Sequence, residues 1–217
     1  MNKKEVSQRV LKDGKPLPIE RFNWDEDTNT FSSREDNLVL DFNEVNNCTF
    51  DTDYGCTFKT GYDCTFKTGD TCIFKTGYDC TFKTGDYCTF DTGYGCTFNT
   101  RSNCTFDTRS DCTFKTGHYC TFKTGSDCTF DTESRCTFDT GSNCTFKTGH
   151  YCTFNTGSNC TFDTGEECVV VRRDVYEVIE LKKGEKIKLN EYEETGYTVI
   201  EGCEKFPECH QVLKGEK

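Results

Sequence analysis

Cys56-Thr57-Phe58-Lys59-Thr60-Gly61-Tyr62-Asp63 runs directly into Cys64-Thr65-Phe66-Lys67-Thr68-Gly69-Asp70-Thr71, and the octapeptide continues with few departures. Sixteen cysteines stand at strict eight-residue intervals from Cys48 to Cys168. A short fixed period without insertions is the signature of a solenoid, in which each copy occupies the environment of the copy stacked on it. Within an octad, Cys, Phe and the second Thr alternate with the first Thr and a Lys, Asp or Asn. An extended strand therefore carries the first three on one face. Gly and two followers turn the chain. Gly in the first turn position is the residue expected where positive φ is needed, with Asp53, Arg101, Arg109 and Glu133 as departures.

The turns set the number of octads per coil. Alternate octads end in Asp63, Asp79, Gly95, Asp111, Asp127, Asn143 and Asn159, all small turn formers. The intervening octads end in Gly55, Thr71, Tyr87, Asn103, Tyr119, Arg135, Tyr151 and Glu167. Two edges of different chemistry imply a coil of sixteen residues with two strands and two turns. The expected fold is an all-β, two-sided parallel β-solenoid with a small N-terminal cap and a C-terminal β-hairpin. Nine coils at about 4.8 Å per strand give a rod of roughly 43 Å. Phe faces Phe across the core and Cys faces Thr at its margins, as in the core sets Cys56, Phe58 and Thr60; Cys104, Phe106 and Thr108; Cys152, Phe154 and Thr156. Thr57 with Lys59, Thr97 with Asn99 and Thr145 with Lys147 belong to the outward rows.

Three segments follow from this reading: a leader over 1–39, the repeat over 40–183, and a hairpin with tail over 184–217. The leader has Val6, Val10 and Leu11 at helical spacing, with Pro16 and Pro18 beyond. Phe22, Trp24 and Phe31 form a small hairpin or irregular cap. Leu40-Asp41-Phe42 takes the Cys-Thr-Phe register, and Tyr176-Glu177-Val178 continues the phase at the far end. Degenerate terminal copies suit a capped solenoid. Two alternating segments, 186–190 and 196–200, make the hairpin, and Ile187, Leu189, Val199 and Ile200 are its apolar side chains for covering the rod end.

Of 217 residues only 33% are apolar, and the net charge is −11. Such values fit disorder except that Phe recurs every eight residues, which a disordered chain lacks. No apolar run reaches the roughly 20 residues that span a bilayer, so no membrane association is expected. The N-terminus shows no signal peptide, so the eighteen cysteines are read as free thiols in a reducing compartment rather than a disulfide framework. Ladder cysteines never come closer than eight residues, unlike the close pairs of metal sites. Neither cofactor nor metal is expected, and Cys203, Cys209 and His210 are read as packing at spacing unusual for zinc. His118 and His150 fall at equivalent turns and read as solvated turn residues. The acidic balance argues against nucleic acid.

The octad Cys-Thr-Phe-Lys-Thr-Gly-Tyr-Asp, the stretch from Asn37 to Phe42 and the stretch from Glu166 to Leu181 resemble octapeptide-repeat proteins of bacteriophages and other viruses. The resemblance covers nearly the whole chain and implies a repeat rod of viral or prophage origin, in the cytoplasm of an infected host or in the virion. It implies no activity. No catalytic constellation is present, so the expected function is a non-enzymatic structural or interaction rod that engages a protein partner or itself. Outward Thr rows also resemble ice-binding solenoids of insects, although there the second outward position is uncharged. A polysaccharide-binding or depolymerase-like viral protein is the remaining alternative, and it lacks the long loops such sites need.

Overall fold

A computed structural model describes residues 1–202. Cys203, Cys209 and His210 lie outside the described residues. The chain is a two-sided parallel β-solenoid built from two twelve-stranded sheets. Successive octads alternate between the sheets, so each strand pairs with the strand sixteen residues away: Phe90 with Phe106 in sheet one, Phe98 with Phe114 in sheet two. Short strands such as Thr105–Asp107 and Thr113–Thr116 suffice because each is paired in register on both sides by an equivalent strand of the next coil.

Phenylalanine fills the core in two ways at once. Along a sheet, Phe90 and Phe106 stack with centroids 4.8 Å apart and planes 2° from parallel. Across the core, Phe106 meets Phe114 edge to face at 5.2 Å and 77°. Both are favoured ring geometries, so one residue type satisfies every neighbour. All the ladder phenylalanines and cysteines are buried. Most ladder thiols have two turn carbonyls within reach of their single S–H: Cys80 reaches Tyr78 at 3.5 Å and Gly61, in the coil below, at 3.7 Å. The second threonine donates to the carbonyl that follows it, as Thr60 does to Gly61 at 3.4 Å. Thr52, Thr84 and Thr156 leave their hydroxyls without a partner.

The positive φ of each turn sits at its last residue, not at the glycine. Asp63, Thr71, Asp79 and Tyr87 have φ of 53°, 57°, 54° and 59°. Glycine stands in the first turn position for a different reason. A Cβ on Gly77 would lie 3.0 Å from the carbonyl carbon and oxygen of Gly61 in the coil below. Arg101 and Arg109, which replace it, keep the N–H to carbonyl contact with the coil below at 3.4 Å, the upper end of the range of 2.9 Å at Gly77 to 3.4 Å at Gly69 and Gly149.

The ends depart from the expected register. In strand Leu38–Phe42, Leu40 pairs with Phe58 and Phe42 with Thr60, two residues away from the expected alignment. The five residues 43–47 that follow make a turn longer than the octad's three and absorb the difference. Phe31 is itself a rung, paired in parallel with Phe50. At the other end, Glu177–Leu181 does not continue the parallel phase but folds back antiparallel on Cys168–Arg172. Arg173 holds the chain on sheet one, bonding Asp139 at 2.9 Å and the Thr140 carbonyl, so the strand returns within its own sheet instead of crossing over.

Antiparallel strands close all four sheet ends, which limits the templating of further strands by exposed edges. The helix spans Lys3–Arg9 with an Asn2–Glu5 capping box, while Val10 and Leu11 lie in the strand after it. Phe22 stacks on Phe31 at 5.3 Å, and Trp24 covers Phe42 at 6.2 Å. In the C-terminal hairpin of Glu185–Leu189 and Tyr197–Gly202, Ile187 and Leu189 are buried, whereas Val199 and Ile200 stay half exposed. The remaining cover comes from Arg172, fully buried, which bonds Asp174 at 2.6 and 3.2 Å and the carbonyls of Glu191, Glu194 and Gly196. No helix of the described residues is long and apolar enough to cross a membrane.

Candidate functional site

The core residues of the repeat are inaccessible. Cys56, Phe58, Cys104, Phe106, Cys152 and Phe154 are at most 1% exposed, and Thr60, Thr108 and Thr156 are buried beside them. Burial pushes the Cys48 thiol up to about 11. The Cys64 thiol is raised too, by its neighbour Cys80 one coil above and by burial. Among the described residues, no group of three or more His, Cys, Asp or Glu side chains is arranged to hold a metal ion.

The sheet faces carry the outward rows. Thr97, Asn99, Thr145 and Lys147 are exposed on sheet two; on sheet one Lys59 is exposed and Thr57 half-buried. Charges of both signs alternate irregularly along them, with Lys123 paired to Asp107 at 3.3 Å. An exposed pair of this kind contributes about 0–1 kcal/mol, so these faces gain little from their charges.

The two edges differ in a way that packing does not require. At the edge leaving sheet one, the near edge, each left-handed position is Asp, Asn or Gly, the residues that tolerate it best. At the opposite, far edge the same backbone position carries Tyr87, Asn103, Tyr119, Arg135, Tyr151 and Glu167, with φ between 57° and 62°. Bulky side chains there cost of order 1 kcal/mol each. The tyrosines are also exposed: Tyr87 62%, Tyr119 54% and Tyr151 51%. They fall on every second coil, with Asn103 at the coil between Tyr87 and Tyr119 and Arg135 at the coil between Tyr119 and Tyr151. The Arg135 guanidinium lies over both flanking rings, 5.6 Å from the Tyr119 centroid and 5.3 Å from that of Tyr151. Together with His118, Ser134 and His150 these residues line a groove of 380 Å³.

Beneath this column runs a second one that holds it in place. Each middle turn residue accepts the backbone N–H of its counterpart one coil above. Asp70 accepts from Asp86 at 2.9 Å, Asp86 from Ser102 at 2.7 Å and Ser102 from His118 at 3.0 Å. His118 accepts from Ser134 at 3.2 Å, Ser134 from His150 at 3.0 Å and His150 from Glu166 at 2.9 Å. Both imidazoles accept through Nδ1. An accepting Nδ1 carries no proton, so the ring proton sits on Nε2. The histidines thus have a structural task that their exposure conceals.

The tyrosine column was visible in the sequence only as the less regular set of turn endings. Its alternation, Tyr87, Tyr119 and Tyr151 at intervals of 32 residues, is the signal that marks it. Arg172 gave no signal, because its partners come from a loop without periodicity. Comparison of the chain with protein-family models, with curated proteins and with solved structures finds no match.

Proposed function

We propose that this protein is a non-enzymatic interaction rod whose far edge engages a basic protein partner. The observation that carries the reading is the placement of Tyr87, Tyr119, Arg135 and Tyr151 in left-handed backbone, where the near edge of the same rod uses Asp, Asn or Gly. Strained, exposed residues that the fold does not need are candidates for recognition. Aromatic side chains and arginine are also the residues that dominate protein interfaces. The net charge of −11 favours a cationic partner, and the resemblance to viral octapeptide-repeat proteins suits a rod that acts on a host or virion component.

Immobilised full-length protein, presented with labelled basic, neutral and acidic polypeptides, tests this. Retention of the basic polypeptides is expected. It should fall in a Tyr119→Asn/Tyr151→Asn variant and persist when the near-edge Tyr62, Tyr78 and Tyr94 are changed to Ser. Retention that follows net charge alone, unaltered by the far-edge changes, would reject the reading.

One observation favours a second reading. The outward threonine column of sheet two is unbroken from Thr49 to Thr161, and a flat threonine lattice suits an ordered surface such as ice. Its neighbours Lys67, Lys83, Lys115 and Lys147 interrupt that face with charge. Absence of thermal hysteresis would remove this reading.

A further inference from the structure

The far-edge column contains two intervals between tyrosines at equivalent backbone positions, and they carry side chains of different length. Between Tyr119 and Tyr151 stands Arg135, its guanidinium over both rings. Between Tyr87 and Tyr119 stands Asn103, whose side chain is much shorter, at the same backbone position and with φ of 59° against 62°. Two coils separate the rings of each pair, about 9.6 Å at the parallel-strand spacing. A planar group with carbon contacts of about 3.5–4.0 Å on either side fits that gap, and Arg135 shows the fit directly. Tyr87 is also the most exposed of the three, 62% against 51% for Tyr151, as expected of a ring without a guanidinium on its face. The near edge has no such space. Its tyrosines occupy consecutive coils and fill one another's faces, Tyr62 on Tyr78 at 4.8 Å and Tyr78 on Tyr94 at 5.2 Å.

We infer that the space bounded by Tyr87, Asn103 and Tyr119 is a receptor for an arginine side chain of a basic partner, filled from outside as its twin is filled by Arg135. This rests on the proposed engagement of the far edge and names the group recognised there. A cation between two ring faces is attracted by both quadrupoles. A guanidinium also stacks as a plane, which an ammonium cannot do. Asn103 offers an amide oxygen as acceptor in place of the internal arginine. Asp70 and Asp86, in the column beneath, add negative charge on the same edge. Between Tyr119 and Tyr151 the facing ring faces are already taken by Arg135, so one rod takes one arginine at this column.

The test uses the full-length protein with tyrosine ring carbons labelled, titrated with the capped tripeptide Gly-Arg-Gly and its lysine and citrulline counterparts. Saturable shifts are expected at Tyr87 and Tyr119 with the arginine peptide, weaker binding of the lysine peptide, and binding at least about tenfold weaker for uncharged citrulline, in line with about 1.4 kcal/mol per factor of ten. Asn103→Arg places an internal guanidinium in the space and should abolish the response while leaving the fold intact. Arg135→Asn should open the second space, so that Tyr151 responds as well. Absence of shifts at Tyr87 and Tyr119 in the unaltered protein, equal binding of citrulline, or an undiminished response in Asn103→Arg would each overturn the inference. If the peptide response fails while far-edge variants still lose the basic polypeptides, the arginine receptor is wrong and the interaction rod stands. If both fail, the interaction reading falls with it.

Discussion

Arg172 pairs in register with Thr156, so a buried guanidinium stands in the column that holds Thr60, Thr108 and Thr156 in the coils beneath. It ends the repeat by demanding partners that an octad cannot supply. Asp174 and three carbonyls of the loop 191–196 meet that demand and draw the C-terminal segment across the rod end.

Replacing Arg172 by Ala should cost about 3–5 kcal/mol, the range for breaking a buried pair by removing one partner. Hydrogen exchange should rise first in Cys168–Arg172 and Glu185–Leu189. The cap also has an acid limit. Burial raises the Asp174 carboxyl, but the hydrogen bond and charge of Arg172 outweigh it and hold it below its ordinary value. A depressed carboxyl adds stability above its unfolded value of about 3.9 and loses it as pH falls through the folded one. The difference between the unaltered protein and Arg172→Ala should therefore narrow below about pH 4.

Phe106 touches rings along the sheet and across the core. Phe106→Ala should destabilise by about 3–5 kcal/mol in denaturant unfolding. A loss under about 1 kcal/mol would show that the ladder does not carry the core.

The ladder thiols should be reduced in the native rod and slow to react, since they are at most 1% exposed and the thiolate is the reactive form. A thiol count before and after denaturation measures this. At Cys48, whose thiol burial raises, the contribution to stability is present below about 9 and is lost as pH rises towards about 11. Rapid labelling at neutral pH without denaturant would contradict the packing described.

His118→Ala leaves the Ser134 N–H without its acceptor and should lower stability by about 0.5–1 kcal/mol, the low end for an intramolecular hydrogen bond at an exposed site. His118→Ser should restore most of it, because Ser102 and Ser134 perform the same task in adjacent coils. Equal urea midpoints for the two variants would show that the imidazole has no such role.

The fold was legible because an eight-residue period fixes strand and turn together, and because Asp63, Asp79 and Gly95 differ from Thr71, Tyr87 and Asn103 on alternate octads. The ends were less legible. Leu40 and Phe42 match the octad's spacing but not its register, since the longer turn at 43–47 cannot be read from hydrophobic pattern. The strand after Tyr176 kept the phase in sequence and lost it in space, because Arg173 pins the chain by contacts 33 and 34 residues away. The octad's glycine suggests positive φ, whereas clearance between stacked turns is what selects it. That clearance exists only between coils. The far-edge column was hidden for a similar reason: Tyr119, Arg135 and Tyr151 are sixteen residues apart in sequence and become one surface only after stacking.

The most direct measurement compares the unaltered protein with the variant Tyr87→Asn/Tyr119→Asn/Tyr151→Asn in two readouts from one preparation, unfolding free energy and affinity for a fluorescent arginine-rich peptide. Asparagine tolerates the left-handed position that tyrosine strains, as Asn103 does in the native column. The expected result is a rod at least as stable as the original that binds the peptide more than about tenfold more weakly, about 1.4 kcal/mol or more of lost affinity. A variant that loses stability while keeping its affinity would contradict the account, for the tyrosines would then serve the fold and not a partner.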